Sequence, residues 1–160
     1  YMFKFFFSYL KIIFYIANIT LITLYLFPGS ILGWFIYGDF GLQPQITSDF
    51  IVSSNHVYAF IVLSILGYVS YEKHVLNFLF FYLFSISIFL EILHIIIPNR
   101  GFELSDLFGN ILGVFAVYLY YQIYNYINNS KNKNNKFKQN NNFNIIFSLS
   151  MFINTKKCFK

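Results

Sequence analysis

The 160-residue chain is 58% hydrophobic and only 11% charged, with a mean hydropathy of +0.58; soluble domains hold about 25% charged residues, so the composition argues against a water-soluble globule. The net charge of +5 would suit nucleic acid, but seven lysines from Lys131 to Lys160 crowd the end, Lys4 and Lys11 stand at the front, and only Lys73 and Arg100 lie between. Basic ends beside apolar runs read as membrane-surface charge, and no nucleic-acid partner is expected.

A helix crossing the hydrocarbon core needs about 20 mostly apolar residues. Four segments approach that length. The first, 12–27, is closed by Pro28-Gly29-Ser30, a helix stop; it has no small-x-small site of the kind that ends a signal peptide. The second, 57–71, is short and borrows His56 or Asn55. The third, 76–97, ends at Pro98, and the fourth, 107–127, runs into Asn128-Asn129. None alternates with a period of two, which argues against a β-barrel. The expectation is therefore an all-α membrane protein with four transmembrane helices, occupying 1–127.

Between the first two segments, 31–37 is apolar with one Trp and too short to span. It either re-enters the bilayer edge with Trp34 at headgroup level or packs on the helix ends. From 128 to 144 the chain is rich in Asn and Lys and reads as disordered, which makes 128–160 a cytoplasmic tail. Within it, 144–154 is apolar and short, either lying on an anionic leaflet or without function. Cys158 is the sole cysteine, so neither an internal disulfide nor a zinc-type spacing can form.

Orientation follows from the basic residues. With both termini cytoplasmic, ten of the eleven Lys and Arg residues lie inside and Arg100 alone lies outside, as the positive-inside bias requires. The loop Glu72-Lys73-His74 is then cytoplasmic. Loops 29–55 and 98–105 face the other side, and the first carries Asp39 and Asp49 with no basic residue.

Polar residues inside a membrane segment cost about 2.5–3.5 kcal/mol on insertion scales and need a partner or a role. Ser87, Glu91 and His94 recur at spacings of four and three, on one face of the third helix. Asp106, Asn110 and Gly113 do the same on the fourth. Ser105 suits a helix N-cap and Asp106 the positive dipole end, whereas Asn110, one turn deeper, has no capping role. Gly109 and Gly113 form G-x-x-x-G, which permits close helix approach within the chain or in a homo-oligomer. His56 opens the second helix at the same end, and Arg100 sits in the short loop beside it.

The accepted topology brings His56, Glu91, His94, Arg100, Asp106 and Asn110 to one depth, where scattered polar residues would occupy both leaflets. Arg100 offers a planar fork for phosphate or carboxylate, or Glu91 holds it as an ion pair. His56, Glu91 and Asp106 are the candidates for acid/base chemistry. His56, His94 and Glu91 have the residue types of a metal site, but the loop arginine would repel a cation, so neither a metal nor another cofactor is expected. Eight residues, 98–105, join the last two helices, which makes them antiparallel neighbours and places Glu91, Arg100, Asp106 and Asn110 in one cluster with His56 at its edge.

The stretch 56–113 resembles the VanZ-like family of small bacterial membrane proteins. The residues that carry the likeness are His56-Val57-Tyr58-Ala59-Phe60, Glu91-Ile92-Leu93-His94, the loop Arg100-Gly101-Phe102 with Asp106 in the form R-x-F-x-x-x-D, and Asn110 with Gly113 as N-x-x-G. Two features depart from the family pattern. His94 stands where Gln is commoner, and no Asp-Lys precedes His56. The resemblance implies a multi-pass protein of the bacterial cytoplasmic membrane. The family is named for a protein linked to teicoplanin resistance, so it also implies a cell-envelope role bearing on glycopeptide susceptibility. With the polar cluster, the expected activity is binding of an anionic lipid or lipid-linked cell-wall intermediate headgroup at the outer leaflet. A membrane enzyme acting on a lipid-linked phosphate and a structural subunit without ligand are the alternatives.

Overall fold

A computed structural model of the protein describes the backbone of residues 2–157 and the side chains of 7–133. Five helices follow in chain order: α1 (Met2–Leu26), α2 (Ile31–Tyr37), α3 (Ser54–Ser70), α4 (Leu76–Leu93) and α5 (Leu104–Lys157). The described residues contain no strand. Three segments, Phe7–Leu26, Leu76–Leu93 and Leu104–Lys133, are long and apolar enough to cross a membrane, while α3 is an apolar helix of 17 residues. Only 22%, 33% and 22% of those three windows is buried inside the protein. Their apolar side chains, Phe78, Phe81 and Phe89 among them, therefore point outward. A soluble helix hides that stripe; these present it to their surroundings.

The chain divides into two units, Tyr1–Leu119 and Tyr120–Lys160. In the first, side-chain contacts give the helix directions. Phe14 meets Tyr71, and Tyr25 meets His56 and Phe60, so α1 and α3 run antiparallel. Asn18 bonds Tyr82, and His94 reaches the Tyr25 carbonyl, so α1 and α4 run parallel. Phe80 packs on Phe115 and Tyr118, while Ser87 meets Asn110; α4 and α5 are antiparallel neighbours joined by the ten residues 94–103, α4 ending at Leu93 rather than at 97. Between them lie Phe60, Leu63, Leu83, Leu90 and Val114, each at most 2% exposed.

The G-x-x-x-G pair is used inside the chain. A Cβ on Gly109 would stand 2.7 Å from the Ser53 carbonyl oxygen, and one on Gly113 would stand 2.6 Å from that of Val57. The two glycines thus let α5 lie directly on the α3 backbone. α2 is held just as tightly. Ser30 caps it by accepting from the Gly33 N–H at 2.9 Å, and the Ser30 N–H donates to the Phe40 carbonyl. A Cβ on Gly33 would fall 1.6 Å from the Leu42 carbonyl oxygen. Segment 31–37 is thus a short helix clamped to its own return loop, with Trp34 stacked on Phe40.

Two further features differ from the sequence expectations. α5 starts at Leu104, so Ser105 lies within the first turn and is not its cap; its hydroxyl faces the carboxylates of Glu103 and Asp106. The helix also runs on to Lys157, through the stretch expected to be disordered. Extending a formed helix needs no new nucleus, and Asn or Lys costs under about 0.7 kcal/mol per residue in its interior. The second unit is this continuation, with Tyr120 and Tyr124 stacked one turn apart. The side chains of 144–154, read as lying on a leaflet, fall outside the described residues.

Candidate functional site

Four helix ends meet at one end of the first unit: the C-termini of α1 and α4 and the N-termini of α3 and α5. Each contributes a polar side chain from its inward face. Glu91 is 0% exposed, Asn110 0%, His94 1% and His56 5%, so the stripe on α4 points into the bundle.

Asn110 organises the centre. Its amide Nδ2 donates to the Ser87 carbonyl at 3.2 Å, which turns Oδ1 the other way. That oxygen accepts the Tyr25 hydroxyl at 2.7 Å and lies 3.0 Å from His56 Nδ1. Tyr25 Oη is itself 2.9 Å from the same nitrogen. The far nitrogen of His56, Nε2, lies 3.3 Å from Asp106 Oδ2. Asp106 sits in the first turn of α5, where the helix dipole favours its negative charge.

Glu91 and His94 form the second half. His94 Nδ1 is 3.3 Å from Glu91 Oε1, and its Nε2 is 3.0 Å from the Tyr25 carbonyl oxygen. Glu91 Oε1 also accepts the Glu103 backbone N–H at 3.1 Å, while Oε2 is buried with no hydrogen-bond partner. His56, Glu91 and Asp106 each place one potential ligand atom within 4.8 Å of the others. The cluster is therefore two imidazoles and two carboxylates joined by Tyr25 and Asn110, nearly all of it screened from solvent.

Arg100 takes another course than the sequence suggested. It pairs with neither Glu91 nor Asp106; among the described residues the carboxylate pairings belong to histidines. Its Nη2 donates to the carbonyls of Gly29 at 2.7 Å and Leu24 at 3.3 Å, and its Nε to that of Phe27 at 3.4 Å. Pro28-Gly29 ends α1 and leaves its last carbonyls without helical donors, and the arginine fork supplies them. Asn99, at φ 60, turns the loop so that Arg100 can reach. Asn is among the few residues that enter this left-handed region readily.

One cavity adjoins the cluster, and a second adjoins Arg100. The first, of about 650 Å³, has apolar walls that include Leu21, Leu24, Ile36, Ile46, Val62 and Leu63, with Tyr25, His56, His94 and Arg100 at its polar side. The other, of about 240 Å³, is lined by Gly29, Ser30, Phe40, Gly41, Gln43, Asn99 and Arg100. Ser30, Gln43 and Arg100 line both. The larger falls in the size range of small-molecule sites, about 300–1,000 Å³.

Tyr25 is the member of the site that the sequence reading passed over. The signal was the spacing Phe14, Asn18, Leu21, Tyr25, whose members are all buried and which marks one inward face of α1. A scan of protein families, a search of characterised proteins and a search of solved structures each returned no match to this chain.

Proposed function

We propose that the protein is a four-span, VanZ-like component of the bacterial cytoplasmic membrane, with both termini in the cytoplasm, that binds an amphiphile bearing an anionic headgroup. The apolar helices and the motif run through Arg100, Phe102, Asp106, Asn110 and Gly113 support the class. The distribution of lysines supports the orientation. Loop 29–55 then faces outward, and a membrane-impermeant maleimide labels Phe50→Cys in intact cells of a Cys158→Ser background. Labelling only after lysis reverses the topology.

The observation that carries the ligand is the pair of cavities joined at Arg100. The larger is apolar and accepts a chain; the smaller is polar and accepts a headgroup. Arg100 brings to both a positive charge that no described carboxylate neutralises, and its Nη1 group makes none of the bonds to α1. A guanidinium so placed matches phosphate or carboxylate oxygens. A lipid-linked cell-wall intermediate has this chemistry, as does an anionic phospholipid, and the family likeness links such a role to glycopeptide susceptibility.

Native mass spectrometry of the full chain, purified in mild detergent and offered phosphatidylglycerol or phosphatidylcholine, tests the reading. The wild type retains the anionic lipid preferentially, and Arg100→Gln loses the preference. Equal retention of both lipids, unchanged by the substitution, refutes it.

An acid/base enzyme is the second reading, favoured by Tyr25 and His56 at the wall of the larger cavity, with Asp106 Oδ2 3.3 Å from His56 Nε2. His56 would move a proton on a headgroup that Arg100 holds. Turnover of a lipid-linked phosphate that disappears in His56→Gln, with lipid retention intact, distinguishes this from binding alone.

A further inference from the structure

We infer that His56, Glu91 and Asp106 form a binding site for one divalent transition-metal ion, which ties α3, α4 and α5 together. The inference stands apart from the amphiphile reading, since it rests on a different set of side chains.

The hydrogen bonds fix which nitrogen of His56 is free. Asn110 Oδ1 can only accept, because its amide group donates to Ser87. Tyr25 gives its hydroxyl proton to that same oxygen. Nδ1 of His56 therefore faces two acceptors, at 2.9 and 3.0 Å, and must carry the ring proton. In the neutral ring Nε2 is then a bare lone pair, and it faces a carboxylate oxygen of Asp106 at 3.3 Å. Two lone pairs so placed repel unless a cation lies between them.

The 3.3 Å between His56 Nε2 and Asp106 Oδ2 suits an ion. Two ligand atoms each about 2.0–2.1 Å from a tetrahedral metal lie roughly 3.4 Å apart. A ligating histidine ordinarily donates its other N–H to an oxygen that sets its tautomer and direction, and Asn110 holds that position. Glu91 brings the second carboxylate within 4.8 Å of both other ligand atoms. Its Oε2 is wholly buried and has no hydrogen-bond partner. Buried carboxylate oxygens are costly without a donor or cation, and this unpartnered atom is the independent sign of a ligand.

A bare proton on His56 would serve Asp106 but leave Glu91 Oε2 as it is. The two carboxylates of Glu91 and Asp106 offset the repulsion expected from the loop arginine, whose Nε and Nη2 are directed to the carbonyls of α1. One imidazole nitrogen and two carboxylates fit Zn²⁺ or Mn²⁺, and the absence of thiolate argues against Cu⁺.

The test uses the full chain, purified without a polyhistidine tag and stripped with a chelator. ZnCl₂ and MnCl₂ are titrated by calorimetry, the bound metal is counted by plasma mass spectrometry, and thermal unfolding is followed in parallel. One ion per chain and a raised Tm are expected with at least one of the two metals. Asp106→Asn, which keeps the shape of the side chain, removes stoichiometric binding. Asn110→Ala, which takes the acceptor from Nδ1–H, weakens it by about 10- to 100-fold. His74→Gln, at an exposed site, leaves it unchanged. No stoichiometric ion and an unmoved Tm in the wild type overturn the proposal. So does undiminished binding by a folded Asp106→Asn, and each of these results leaves lipid retention by the Arg100 cavities free to succeed or fail on its own.

Discussion

The protein sets a histidine beside a glutamate at both ends of its bundle, in opposite surroundings. At the α3–α4 turn, His74 and Glu72 approach to 3.6 Å with side chains 74% and 79% exposed. At the other end, His94 and Glu91 approach to 3.3 Å with side chains 2% and 0% exposed. The exposed pair sits in high dielectric with water for its remaining lone pairs, where such contacts contribute little. The buried pair has surrendered its hydration, and its bonded atoms depend on specific partners. His94 depends on the Tyr25 carbonyl, and Glu91 on the Glu103 N–H. Chemical type alone does not set the worth of an interaction; desolvation and the number of fixed partners do.

The sharpest way to break this contrast is to truncate the acid at each end. Glu91→Ala removes the partner of His94 and of the Glu103 N–H, and should cost about 3–5 kcal/mol. Glu72→Ala should leave stability unchanged. Chemical unfolding of both variants in the same detergent checks the pair, and equal losses would show that burial at the polar end contributes nothing special.

Glycines extend the comparison to packing. Gly113→Ala drives a methyl group against the Val57 carbonyl and the Phe60 Cβ, while a Cβ on Gly101 would meet nothing within 4 Å. The first should cost about 1–3 kcal/mol through overpacking and the second nothing measurable, as read from the Tm of each. A tyrosine pair gives the smallest effect. Tyr82→Phe takes away the acceptor of Asn18 Nδ2 and should cost about 1 kcal/mol. Tyr15→Phe, which loses an exposed hydroxyl contact with Tyr71, should be silent in the same unfolding assay.

The sequence made His56, Glu91, His94, Asp106 and Asn110 visible because each is a polar residue where the apolar pattern has no place for one. Antiparallel α4 and α5 were legible from the shortness of their connection. Tyr25 was not, because tyrosine is ordinary in a chain with 14 of them; its role depends on which face of α1 turns inward, and that is decided by packing against α3 and α4. The destination of Arg100 was hidden for another reason. Its acceptors are backbone carbonyls, which leave no side-chain signature, and only the helix stop at Pro28-Gly29 hints that they are free. Helix continuation beyond 127 was hidden too, since composition describes a segment's own capacity to fold and not the helix already running into it.

The arginine fork also orders events in time. Leu24, Phe27 and Gly29 leave the ribosome 71 to 76 residues before Arg100. At about 5–20 residues per second, roughly 4–15 s separate the end of the first helix from the side chain that completes it. During that interval the carbonyls of α1 must find donors in water, headgroups or the insertion machinery. α1 is therefore completed only after α2, α3 and α4 have been made, by a residue more than 70 positions further on, and a nascent chain that stops short of residue 100 carries an unsealed helix end.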